Sequence, residues 1–176
     1  MNFADDFVIL SRGHASAALA WTRWAMKNIG LTLNETKTSI RDARSESFDF
    51  LGYTFGTERI RKSGQRYMAA QPSKKSVRRC KQRIRQILDK GNLASWTEVA
   101  DQLNSVLRGW SNYYSYGTRL MAYRAIDWYI DGRVRSFLRR RHQVASRATR
   151  QFPNSEIYGK LGVIRLRTLH VGERPA

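Results

Sequence analysis

Apolar residues recur at helical spacing in several stretches of this chain and at short, turn-bounded spacing in the others. Over residues 14–29, Ala18, Trp21, Ala25 and Ile29 share one side of a helix, and Gly30 stands where it should stop. Trp21 and Trp24 are expected to pack over a sheet. Phe7-Val8-Ile9-Leu10 is a continuous apolar run, the pattern of a strand covered on both faces. Asp5 and Asp6 before it suit the tip of a β-hairpin. Residues 32–40 and 47–55 read as further short strands, and residues 59–69 as a hairpin turning at Lys62-Ser63-Gly64.

The pattern changes at Pro72. Between residues 73 and 90 the apolar positions are Val77, Cys80, Ile84, Ile87 and Leu88, and Gly91 follows as a stop. Ser95-x-x-Glu98 fits a capping box opening a second helix, with Trp96, Val99, Leu103, Val106, Leu107 and Trp110 as its stripe. A third helix spans about 120–141, with Tyr123, Ile126, Ile130, Val134 and Phe137 inside. Three such stripes predict a small bundle. An Arg-rich stretch over 133–150 and a short strand at 163–166 close the chain. The expected fold class is α+β, with strands in residues 1–70 and helices in 71–176.

Charge changes the picture because of where it lies. The chain has 176 residues and a net charge of +18, yet residues 1–58 balance to −1 and residues 59–176 to +19. Such asymmetry points to a polyanionic partner. Eight Tyr and five Trp add rings on which bases can stack. Charge alone also fits a ribosomal-type or generic RNA-binding protein. The lack of a long apolar stretch or signal peptide argues against a membrane partner. Cys80 is the single cysteine, so no internal disulfide forms; its plain reading is a core position on a helix in a protein of a reducing cytoplasm. His14, His142 and His170 have no metal-ligand spacing.

Four motifs follow one another along the chain: Phe3-Ala4-Asp5-Asp6, then residues 30–40 (GLTLNETKTSI), then Phe50-Leu51-Gly52, then residues 107–114 (LRGWSNYY). In that order and at those distances they resemble the group II intron-encoded reverse transcriptase/maturase family. The first is similar to its aromatic-Ala-Asp-Asp palm motif, with Phe3 in place of the usual Tyr. Residues 30–40 resemble the following block, Leu51-Gly52 the primer grip, and residues 107–114 the signature of the thumb, or maturase, domain.

The resemblance implies a partial reverse-transcriptase palm (hairpin, helix and short strands) followed by an α-helical thumb/maturase bundle. It implies an RNA-directed DNA polymerase/maturase fragment that serves splicing and retrotransposition, bound to group II intron RNA and to an RNA/DNA duplex in a bacterial or organellar ribonucleoprotein. Asp5 and Asp6 would be catalytic and hold Mg²⁺, and Lys37 would act as a general acid toward pyrophosphate, its plain alternative being a solvated strand lysine beside Glu35. Phe3, Leu51 and Gly52 would meet primer and template; Gly52 reads equally as a β-bulge glycine.

A polymerase of this family carries its fingers and a further metal-binding Asp upstream, where this chain has only Met1 and Asn2. The chain is therefore expected not to polymerise alone, and the fingers–palm half supplied in trans is a further expected partner. The other reading is a stand-alone RNA-binding splicing factor with a vestigial palm. For RNA, the expected contacts are the basic helix face of Lys74, Lys75, Arg78, Arg79, Lys81, Arg83 and Arg85, then Arg108 and Asn112 off the core stripe, and Arg139, Arg140 and Arg141.

Overall fold

The computed structural model of the protein describes residues 6–60, 62–144 and 148–169, the side chains of 148 and 149 excepted. The chain divides into two compact units, residues 1–69 and 70–176.

The first unit is built from one helix and a small antiparallel sheet. Helix α1 spans Ala15–Asn28, and Gly30, at φ +75°, follows its end as the sequence predicts. Its covered side is Ala15, Ala18, Leu19, Thr22, Ala25 and Met26. Trp21 and Trp24, expected in a core, are 64% and 62% exposed. The sheet has the order β1-β2-β3, with β1 at Phe48–Phe50, β2 at Tyr53–Arg59 and β3 at Arg66–Pro72. Strand β3 carries the chain into the second unit.

Three strand expectations fail here, each for a local reason. Residues 7–10 form no strand, because no neighbouring strand among the described residues takes up their backbone groups. Residues 32–40 turn instead: the Asn34 side chain accepts the backbone N–H of Lys37, and its carbonyl accepts the N–H of Thr38. An Asx turn of this kind competes with the ladder. Residues 47–55 are two strands rather than one, since Leu51 (φ +47°) and Gly52 (φ +78°) make a two-residue hairpin turn. Phe48 then stands opposite Phe55, and their rings stack at 5.4 Å. The expected turn at residues 62–64 does form, between β2 and β3, with Gly64 at φ +69°.

The second unit holds the hydrophobic core. Its helices are α2 (Lys74–Ile87), α3 (Trp96–Tyr113) and α4 (Leu120–Arg141), with short turns after them. Ser73 caps α2 by accepting the Ser76 N–H, and Ser95 and Glu98 close the capping box read from the sequence. Helix α2 packs against both α3 and α4. Cys80, Ile84, Val99, Leu103, Leu107, Tyr123, Ile126, Ile130, Val134 and Phe137, all on the anticipated stripes, form the core. The Ser76 hydroxyl also takes the Tyr114 O–H at 2.7 Å, joining the start of α2 to the end of α3 inside the protein. At the α3–α4 turn, the Thr118 N–H donates to the Ala70 carbonyl at 2.8 Å.

Residues 163–166 are not a strand. They belong to a return segment that begins at Pro153, passes through a π-helical turn at Glu156–Lys160, and ends in a 3-10 turn at Leu166–Thr168. This segment buries Ile157, Val163 and Leu166 in the same core. Side chains clasp its backbone: the Trp96 indole N–H donates to the Leu161 carbonyl at 3.0 Å, and Asn104 bonds both Gly162 and Ile164. A short segment with no periodic repeat finds its place through such polar clasps.

Candidate nucleic-acid interface

Helix α2 has seven cations and no acid in fourteen residues. Its apolar stripe is committed to the core, so every Lys and Arg is forced onto the remaining surface. Lys74, Lys75, Arg78, Arg79, Arg83 and Arg85 are exposed and Lys81 is half-buried. Among the described residues none of the seven forms an ion pair; the salt bridges join Arg23 to Glu35, Arg41 to Glu46, Lys160 to Glu156, and Arg167 to Asp127. Like charges a turn apart destabilise a helix, so this face holds a repulsion that a polyanion relieves.

Four of the seven, Lys74, Arg78, Lys81 and Arg85, fall at i, i+4, i+7 and i+11. They line one wall of a groove of about 580 Å³ between α2 and α4. The other wall is Ala122, Ala125 and Tyr129, and the Lys81 ammonium lies 5.5 Å from the centre of the Tyr129 ring. The α4 wall went unread in the sequence. Its signal was there: Trp128 and Tyr129 are aromatic residues out of phase with the Ile126–Ile130 stripe. Below the basic face, Cys80 is buried, and burial pushes its thiol up to about 12.

The other expected RNA contacts are distributed. Arg108 and Asn112 lie one turn apart on the exposed side of α3, outside the α2–α4 groove. Between them Trp110 packs inward on Tyr114 and Tyr123, with ring centres at 4.6 and 5.7 Å. Tyr114 is the tyrosine that continues the core stripe, whereas Tyr113 is 50% exposed. Arg139, Arg140 and Arg141 are exposed in the last turn of α4, where cations complement the helix dipole. Arg141 also donates to the Ala94 carbonyl at 2.6 Å, so part of its role is to hold the approach to α3.

In the first unit, Leu51 and Gly52 form the hairpin tip, so Gly52 is a turn residue rather than a bulge. Lys37 is exposed in the Asn34 turn, not on a strand. Glu35 is held by Arg23 in a two-pronged pair (2.9 and 2.6 Å), and the hydrogen bond from Arg23 lowers the Glu35 pKa. Asp6 is exposed. Phe3 and Asp5 lie outside the described residues. Among the described residues no three His, Cys, Asp or Glu side chains gather as a metal site. Among the described residues no helix is long and apolar enough to cross a membrane.

No curated protein matches this chain. Residues 77–153 match the family model described as "Group II intron, maturase-specific domain", a span that takes in most of α2 and all of α3 and α4. The helices that present the basic groove thus lie in the span that is similar to the maturase-specific domain of group II introns.

Proposed function

We propose that the protein binds group II intron RNA through its helical unit and supports folding of that RNA into its splicing-competent form. The observation that carries this reading is the unneutralised face of α2, seven cations of which four line one groove. Phosphate contacts supply affinity and register without reading sequence, and they release condensed counterions.

The test is binding of the purified chain to a group II intron RNA across a salt series. If about six phosphates are neutralised, log K falls with log salt at a slope of roughly −4 to −5. Each groove cation replaced by Ala reduces the magnitude of that slope by about one. Binding indifferent to salt, or unchanged after removal of Arg78 and Arg85 together, refutes the assignment. RNA binding that leaves intron splicing unaffected at every protein concentration refutes the splicing role alone.

A second reading is RNA-directed DNA synthesis, with a fingers–palm half in trans and an RNA/DNA duplex as substrate. It is favoured by the apolar surface of the first unit: Phe7, Val8, Ile9, Leu10, Trp21 and Trp24 are all at least 43% exposed. Apolar surface of that extent is what another polypeptide covers. Primer extension by the co-expressed halves, lost in Asp5→Ala, is its expected result. Absence of association between the halves removes it.

A further inference from the structure

We propose that the α2–α4 groove seats a single strand of RNA, with its phosphates on Lys74, Arg78, Lys81 and Arg85 and an unpaired base stacked on Trp128; this rests on the RNA-binding reading above and specifies the form of RNA bound.

The two walls of the groove differ in chemistry. On α2 the four cations succeed one another at three- and four-residue steps, a rise of about 4.5–6 Å each and about 16 Å in all. This is a track for one backbone running along the helix. The α4 wall offers no charge. Ala122 and Ala125 are too small to obstruct a strand, and Tyr129 lies beneath Lys81. Packed helix axes stand about 8–10 Å apart, so the groove along the outside of their seam is narrower than a double helix.

Trp128 follows the groove residue Ala125 by three positions and precedes Tyr129 on the same helix; it is outside the groove lining itself and is 78% exposed. An indole at that exposure contributes nothing to the core, although the neighbouring stripe of α4 is fully buried. A duplex hides its base faces and gains nothing from the ring. An unpaired base gains a stacking surface, which typically contributes about 1–3 kcal/mol. Met121, two turns earlier on the same helix, is a second exposed apolar side chain, at 66%. Cations on one side and an aromatic platform on the other are what a single strand presents to, phosphates one way and bases the other.

The experiment measures fluorescence anisotropy of the full chain with three labelled probes of equal length. They are a mixed-sequence single-stranded RNA, a blunt RNA duplex, and a strand whose central positions are abasic. In the unaltered protein, single strand binds more tightly than abasic strand. Trp128→Ala, a change at an exposed site that leaves the core intact, weakens single-strand binding about ten-fold and leaves the duplex and abasic probes within about two-fold. Arg78→Ala with Arg85→Ala weakens the single and abasic strands together. Equal loss on all three probes with Trp128→Ala, or no loss on any, overturns the proposal. Failure of the unaltered chain to bind any RNA overturns the RNA-binding reading itself, a result distinct from the first two.

Discussion

The Asp127 carboxylate accepts the backbone N–H of Leu166 at 2.8 Å, tying the middle of α4 to the last turn of the return segment. Its other oxygen takes the Arg167 N–H at 3.2 Å, and the Arg167 guanidinium approaches at 3.6 Å. Asp127 is 1% exposed. Burial raises its carboxyl above the usual range, and the two N–H groups and Arg167 oppose that rise. Removing the carboxylate strands a buried donor. Asp127→Ala is expected to cost about 2–4 kcal/mol in urea unfolding and to open residues 153–169 to limited proteolysis. A variant as stable and as protease-resistant as the parent contradicts this role.

Gly117 and Gly109 are expected to respond oppositely to alanine. Gly117 has φ +70°, and a Cβ there would stand 2.1 Å from the Ala70 carbonyl oxygen, which also accepts the Thr118 N–H. The left-handed backbone and the clash with main chain together cost about 2–4 kcal/mol. Gly109 lies inside α3 with open space where a Cβ would be. Gly109→Ala is expected to raise stability by up to about 1 kcal/mol. Thermal unfolding of the two variants checks both signs, and a matched pair of losses would show that α3 needs its glycine for another reason.

Cys80 is expected to be silent in the folded protein. Its side chain is 4% exposed, and burial holds the thiol neutral, up to about 12 from an ordinary value of 9.0. Thiolate is the reactive form, so a disulfide reagent at neutral pH labels Cys80 only as fast as the helical unit opens. The sign of the pH effect follows. Below about 9 both states keep the proton and Cys80 adds no pH dependence; between 9 and 12 only the unfolded state loses it, so stability falls as pH rises. Cys80→Ala flattens that alkaline limb, and stability independent of pH over this range is the contrary result.

Leu51 is expected to give way to a better turn residue. At φ +47° it occupies the left-handed region that a leucine enters at a cost of about 1 kcal/mol, while Asn enters it readily. Leu51→Asn creates an Asn-Gly turn and is expected to slow hydrogen exchange in β1 and β2 several-fold. If Leu51 also touches primer or template, the same variant loses nucleic-acid affinity while gaining order. Unchanged exchange denies that the turn limits the hairpin.

The helices were legible because their determinants are local. Ile84, Leu103 and Ile130 repeat at the helical period, and Ser95 and Glu98 announce a helix start three residues apart. The basic face of α2 was legible for the same reason, since apolar and charged positions exclude one another around one helix. The first unit resisted. Among the described residues Phe7–Leu10 has strand composition but no ladder partner, and Trp21 has core composition but is 64% exposed. In both, the decisive term is what lies across from the residue, which composition does not encode. The return segment was missed because its placement depends on Asp127, Asn104 and Trp96, each far away in the chain. An acid beside Ile126 on a buried stripe was the one hint that something had to come and pair with it.

The late arrival of that segment has a consequence for synthesis. Ile84 and Leu166 belong to one core, but a ribosome delivers α2 several seconds before it delivers the residues that complete the packing. During that interval the most cationic helix of the protein emerges beside ribosomal and messenger RNA, its apolar stripe still without full cover. The nascent chain thus meets polyanion before it owns a finished interior, and the return segment decides when that early, indiscriminate attraction becomes a defined surface.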